Sequence, residues 1–215
     1  MAEAGLVVSM EGNASARIPG EEKIAITPSQ IPYDRRKLDD ILIVGFDGNV
    51  LLGKHRPSAE TKTHIAVYKA RNDAGGVIHT HSLYASALSC IDGRIPPLLE
   101  GQTIFLGGDI GTAPYALEGT GKLGANAVEA LRERDGTMLS NHGTICCGRT
   151  IDDALRNAIL LEKLAIIYIM AKSLGEVRPI PADITELQNQ YYKSRREGVP
   201  WSPPPQYQEL LKLIA

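Results

Sequence analysis

At 215 residues, with 43% hydrophobic and 22% charged residues, the chain is long enough for one domain with a substantial core and short for two. A formal net charge of −2 leaves no basic footprint for nucleic acid, and no apolar run reaches the roughly 18–20 residues of a membrane span. The N-terminus lacks the basic segment of a secretory signal, and Cys90, Cys146 and Cys147 cannot form a disulfide framework without one left over. The chain therefore reads as a cytoplasmic protein, with Cys146 and Cys147 reduced and buried in their apolar run.

In chain order, 23–28 (KIAITP) reads as a strand stopped by Pro28, and 39–53 as two strands around an Asp-Gly-Asn turn. Residues 57–73 look helical, with Ser58 as the cap and Ile65, Ala66 and Tyr68 inward. GGVIHTHS (75–82) is a buried strand and 82–90 a short helix. An amphipathic helix fits 120–135, with Leu123, Ala127, Val128 and Leu131 inward. Residues 137–148 read as strand, tight turn at Asn141–Gly143, strand. The longest periodic segment is 150–174, capped by Thr150 with Asp153 and closed by Gly175 in a left-handed conformation. The tail from about 185 is polar and proline-broken, with core expected only in its last few residues. Strands and helices interleave, so the fold class is α/β.

Five histidines are present, and two of them, His79 and His81, lie two residues apart on one apolar strand. Alternate strand residues share a face, so both imidazoles can reach one metal ion, although two hydrogen-bonded core histidines fit the pair equally well. His142 follows in a turn between two apolar runs, where backbone hydrogen bonding would also explain it. Glu60 sits in the first turn of the 57–73 helix, where an acid complements the helix dipole. Together, three histidines and one carboxylate suit a four-ligand zinc site. His64, one turn after Glu60, can partner that site, with plain helix packing as the simpler reading; His55 lies in a polar loop and reads as solvated.

GNASAR (12–17), AITPS (25–29), GKHRPSAETKTH (53–64), VIHTHS (77–82), APY (113–115) and NHG (141–143) follow one another in an order that resembles the class II aldolase and adducin head-domain family, over residues 11–175. The resemblance is to its ketose-1-phosphate aldolases, of the L-fuculose-1-phosphate aldolase kind. It implies a single domain over 1–215, a three-layer α/β/α arrangement with a central, mostly antiparallel sheet flanked by helices. It also implies a homotetramer with active sites at subunit interfaces. The implied metal ligands are Glu60, His79, His81 and His142, holding Zn2+, with Mn2+ as an alternative. The implied partner is a small sugar phosphate, held by Asn13, Ser29, Gln30, Ser58 and Ala59, with no nucleic acid and no membrane.

The implied reaction is zinc-dependent cleavage of a ketose 1-phosphate to dihydroxyacetone phosphate and an aldehyde through a metal-stabilised enediolate, with Glu60 as general acid/base. Family aldolases carry a tyrosine after the IP turn that donates a proton from a neighbouring subunit. Here IPPLLEGQTIFLGG places Glu100 nearest that position, so either Glu100 takes the proton role or the aldehyde half differs. Tyr207 is the candidate for a second family tyrosine in the tail. Gln30 replaces a frequent glycine and Ala59 a frequent serine, and the chain begins almost at the GN turn, where the family carries a preceding helix. A pentulose-5-phosphate 4-epimerase and a decarboxylase of a phosphorylated keto acid would use the same metal site. Epimerases typically carry aspartate where Glu60 stands. A non-enzymatic adducin-like domain would be expected to lose the histidines, and all three are present.

Overall fold

The computed structural model describes residues 1–91, 93–205 and 208. Its strands are β1 (Asn13–Arg17), β2 (Lys23–Ile26), β3 (Leu42–Gly45), β4 (Val50–Leu52), β5 (Gly76–Thr80), β6 (Thr112–Ala113), β7 (Gly136–Leu139) and β8 (Gly143–Gly148). They make one eight-stranded sheet in the order β4-β3-β2-β1-β5-β8-β7-β6. Neighbours are antiparallel except β6 and β7, which run parallel.

Among the described residues the α-helices are α1 (Thr61–Ala70), α2 (Leu83–Ser89), α3 (Glu100–Leu106), α4 (Gly121–Leu131), α5 (Ile151–Leu174) and α6 (Ala182–Glu197). Both faces of the sheet are covered. Side-chain alternation sends Val77 of β5 and Cys147 of β8 to one face, against Ile65, Val67 and Tyr68 of α1 and Leu123, Ala127 and Leu131 of α4. It sends Ile78 and Cys146 to the other, against Leu88 of α2 and Ala158, Leu161 and Leu164 of α5. Burial on both faces explains why VIHT and TICC are continuous runs rather than alternating ones. Both cysteines are free and buried, and burial pushes their thiols up.

The 39–53 hairpin, the 141–143 turn and the 150–174 helix stand as read from the sequence, with Thr150 Oγ1 accepting from the Asp153 N–H at 3.1 Å. Other expectations need correction. GNAS is not a turn: Asn13 opens β1, opposite His79. Helix α1 starts at Thr61, so Ser58 does not cap it. A bridge between Pro28 and Pro57 holds the preceding segment extended, and Ser58–Thr61 forms a turn closed by Thr61 N–H to the Ser58 carbonyl. Gly175 ends α5 at φ 157° and ψ −155°, not in the left-handed conformation. Helix α3 falls in a stretch with no recognised signal. The tail holds α6, because its prolines lie at or before 181 and at or after 200, leaving 182–197 uninterrupted; Tyr192 of α6 is buried and its hydroxyl donates to the Glu133 carbonyl at 2.7 Å. The core expected in the last few residues lies outside the described residues.

Candidate metal centre

Three histidines meet at one end of the central strands. His79 is on β5, His81 one residue past its end, and His142 in the β7–β8 turn, and their candidate ligand nitrogens all lie within 4.8 Å of one another. Close backbone approach brings them together. A Cβ on Gly143 would sit 2.2 Å from the Thr80 carbonyl oxygen, so only glycine lets β8 begin this near the end of β5. Gly12, at φ +69°, would carry a Cβ 2.7 Å from the His79 carbonyl oxygen; glycine there seats Asn13 beside His79. Asn141, at φ 55°, supplies the left-handed step of the histidine turn.

The protonation pattern at His79 is fixed by its surroundings. Its Nδ1 lies 2.8 Å from the Thr144 carbonyl, which can only accept, so Nδ1 carries the proton and Nε2 presents a lone pair. That lone pair faces Glu60 Oε2 at 2.7 Å and His81 Nε2 at 2.8 Å. His142 Nε2 approaches Glu60 Oε1 at 3.5 Å. Glu60 Oε1 is itself buried with no hydrogen-bond partner among the described residues. Lone pairs and carboxylate oxygens converging without donors to separate them require a proton or a cation between them.

The electrostatics point to one positive charge shared here: despite its burial, the His79 imidazole is pulled up by Glu60, so in the absence of a metal ion a proton stands between His79 Nε2 and Glu60. Burial pushes the Glu60 carboxyl up, but the His79 imidazole beside it, with His142 and Asn13, brings it down to about 2. Burial and the neighbouring His79 lower His142 to about 4, against the pull of Glu60. A three-nitrogen, one-oxygen donor set fits Zn2+ and, with less selectivity, other first-row divalent ions.

Asn13, Ser29, Gln30, Ser58 and Ala59 all line one cleft of about 250 Å³ together with Glu60 and His81. The backbone explains part of this. Gln30 adopts φ 60°, a conformation that costs glycine nothing, so the residue at this family-glycine position keeps the glycine-like turn. Ser58 Oγ accepts from the Glu60 N–H at 3.3 Å. Asn13 is engaged differently from a free anion donor: its Nδ2 donates to Glu60 Oε2 at 3.1 Å.

Glu100 is the first residue of α3, is exposed, and is not among the residues lining this cleft. Tyr207 lies outside the described residues. His55, read as solvated, instead places Nε2 2.9 Å from Asp40 Oδ1. His64 does more than pack: its ring bridges Asn13 and Ser15.

Several contributors went unread. Thr144 sets the His79 tautomer through its main chain, which no side-chain motif reveals. Glu11 Oε2 lies 3.8 Å from His81 Nδ1, and Glu11 and Glu118 both line the cleft. Ser15 was legible in principle, since it shares the face of Asn13 at i+2 on a strand.

Residues 1–169 match the family described as Class II Aldolase and Adducin N-terminal domain. The chain is 33% identical over 189 residues to the 5-deoxy-D-ribulose 1-phosphate aldolase of Bacillus thuringiensis serovar kurstaki, covering 88% of this chain and 87% of that one. It is 33% identical over 182 residues to the L-ribulose-5-phosphate 4-epimerase of Salmonella typhi, covering 80% of each. A solved L-fuculose 1-phosphate aldolase superposes with a TM-score of 0.85 at 32% identity, over 89% of this chain and 90% of that one. With the histidine cluster intact and the match spanning most of its length, the chain belongs to the class II aldolase and adducin family, among its carbon–carbon lyases.

Proposed function

We propose that this enzyme cleaves a ketose 1-phosphate, L-fuculose 1-phosphate or a close analogue, to dihydroxyacetone phosphate and an aldehyde, with Zn2+ as its metal. The observation that carries the metal reading is the His79 Nε2 lone pair, held 2.7 Å from Glu60 Oε2 and 2.8 Å from His81 Nε2. Glu60, His79, His81 and His142 would hold the ion. When bound, it supplies Lewis-acid polarisation of the substrate's oxygens and stabilises the negative charge that develops on cleavage.

The chain's own residues do the rest. Glu60 keeps Oε2 in the Asn13 hydrogen bond and leaves Oε1 without a donor, so Oε1 is the atom suited to take and return a proton at the carbon beside the carbonyl. Ser29, Ser58 and the loops at Gln30 and Ala59 would seat the phosphate, which their lining of one cleft at the start of α1 supports. Among the described residues no lysine or arginine lines this cleft, so hydroxyls and backbone N–H groups would provide the anion contacts. Glu100 would protonate the aldehyde half, and because it stands outside the cleft of its own chain it would act from a neighbouring subunit of a homotetramer. Tyr207 completes the proposed catalytic set. The single-domain reading over 1–215 and the cytoplasmic location belong to the same proposal.

The match to an L-ribulose-5-phosphate 4-epimerase supports a second reading, in which the same site cleaves and re-forms the bond. Glu60 favours the aldolase, because its longer carboxylate stands where epimerases typically carry aspartate. Incubating zinc-loaded protein with a panel of ketose 1-phosphates, with dihydroxyacetone phosphate as the readout, tests the proposal. Release from at least one of them supports it. No release, together with conversion of L-ribulose 5-phosphate to its 4-epimer, moves the assignment to epimerase.

A further inference from the structure

A buried chain of polar side chains leads away from Glu60 Oε2, beginning at Asn13, which stands opposite His79 on the neighbouring strand. Asn13 Nδ2 lies 3.1 Å from Glu60 Oε2, and Asn13 Oδ1 lies 2.5 Å from His64 Nε2. His64 Nδ1 lies 2.6 Å from Ser15 Oγ, and the Tyr68 hydroxyl closes the chain by donating to the Ser15 carbonyl at 2.8 Å while standing 2.9 Å from Ser15 Oγ. His64 and Tyr68 are fully buried, and Asn13 and Ser15 are nearly so.

The direction of every bond in this chain follows from one end. A carboxylate only accepts, so the amide nitrogen of Asn13 must face Glu60, and its oxygen must face His64. That oxygen also only accepts, so His64 Nε2 must carry the proton. A neutral imidazole then has its lone pair on Nδ1, and Ser15 Oγ must donate to it. The wrong His64 tautomer would set a lone pair against the Asn13 oxygen at 2.5 Å and release the amide to rotate, taking the donor away from Glu60.

We propose that His64 is a positioning residue for Glu60, acting through Asn13: its Nε2–H locks the Asn13 amide, which holds Glu60 Oε2 and so determines that Oε1 is the oxygen left free toward His142. The strands and the helix each contribute what the relay needs. Asn13 and Ser15 share one face of β1, and His64 lies one turn after Glu60, so a single strand and a single helix fix all four groups. The inference rests on reading the histidine cluster as a metal site.

The test compares two substitutions of similar size. Gln at 64 reaches about where Nε2 lies and keeps a donor for Asn13; Asn at 64 reaches only about as far as Nδ1 and leaves Asn13 without one. A merely structural histidine would be damaged equally by both. Zinc affinity, measured on metal-free protein by competition with a chromogenic chelator, is expected to fall about 10- to 100-fold in His64→Asn, with His64→Gln recovering about tenfold of that loss. Thermal unfolding of the metal-free proteins should show the two variants similarly destabilised. Equal affinities in the two variants, or no loss in His64→Asn, overturn the proposal. Should His64→Asn fail to fold, Ser15→Ala carries the test, with a several-fold loss expected and an unchanged affinity overturning it. Failure of the unaltered chain to bind zinc would overturn both this inference and the metal reading beneath it, whereas zinc binding without a difference between the variants overturns the relay alone.

Discussion

The two ends of the central strands each bury a cluster of ionisable groups, and the clusters are built on opposite principles. At the Gly76–Gly148 end, Arg71 places one guanidinium nitrogen 2.8 Å from Asp73 Oδ1, another 2.8 Å from Asp73 Oδ2 and 2.7 Å from Asp135 Oδ1, and its third donates to the Arg134 carbonyl at 2.7 Å. Donors and acceptors there match, and the ends of α1, β7 and α6 are tied together. At the Thr80–Gly143 end, lone pairs face a carboxylate and one another, and Glu60 Oε1 has no partner among the described residues. A satisfied network is a fastening. An unsatisfied one, held in place by Gly143, Thr144 and Asn13, is a site waiting for something with positive charge.

The comparison can be broken from either side. The largest effect is expected from His79→Ala, which removes the central lone pair; zinc content should drop from about one per chain to none and aldol cleavage should disappear, while thermal unfolding of the metal-free protein shifts little by comparison. Glu60→Gln keeps the shape of the side chain but removes its basicity, and steady-state kinetics should show kcat lower by roughly 10²–10⁴. Asp135→Ala strikes the fastening instead. It leaves Arg71 buried with one partner fewer, and a destabilisation of about 3–5 kcal/mol is expected from denaturant unfolding, with zinc stoichiometry unchanged.

The most gradual effect, spread over several pH units, is a pH dependence from His64. Burial lowers its pKa to about 3, against the pull of Glu60, while in the unfolded chain it titrates near 6.5. As pH falls below 6.5, the unfolded state binds the proton and the folded state does not. Stability from this group is therefore full above 6.5 and is lost progressively down to about 3, by up to about 1.4 kcal/mol per pH unit. Urea unfolding of metal-free protein across this window should show a slope of that sign, and His64→Gln should reduce it, leaving the part that His142 contributes above about pH 4.

Much of the site was legible because its signals are local. His79 and His81 share a strand face, Glu60 opens the next helix upstream, and His142 stands in a turn between two apolar runs; family motifs added the cleft residues. What escaped was set by main chain or by distance in sequence. Thr144 acts through its carbonyl, and Ser15 and His64 meet across 49 positions. In the fold, the long α5 announced itself by its periodicity; of the two seven-residue helices, α2 follows a serine at its N-cap whereas α3 follows Leu99 and has no capping signal. Helix α6 was obscured by the prolines around it, although those prolines mark its limits.

The central claim is that His79, His81, His142 and Glu60 together hold one divalent cation. Titrating metal-free protein with Zn2+ in an isothermal calorimeter tests it most directly. The account predicts one saturable site per chain, with proton release as zinc displaces the protons shared among Glu60 and the imidazoles. Binding that does not saturate at one equivalent, or a His79→Ala variant that binds zinc as the unaltered chain does, would contradict it.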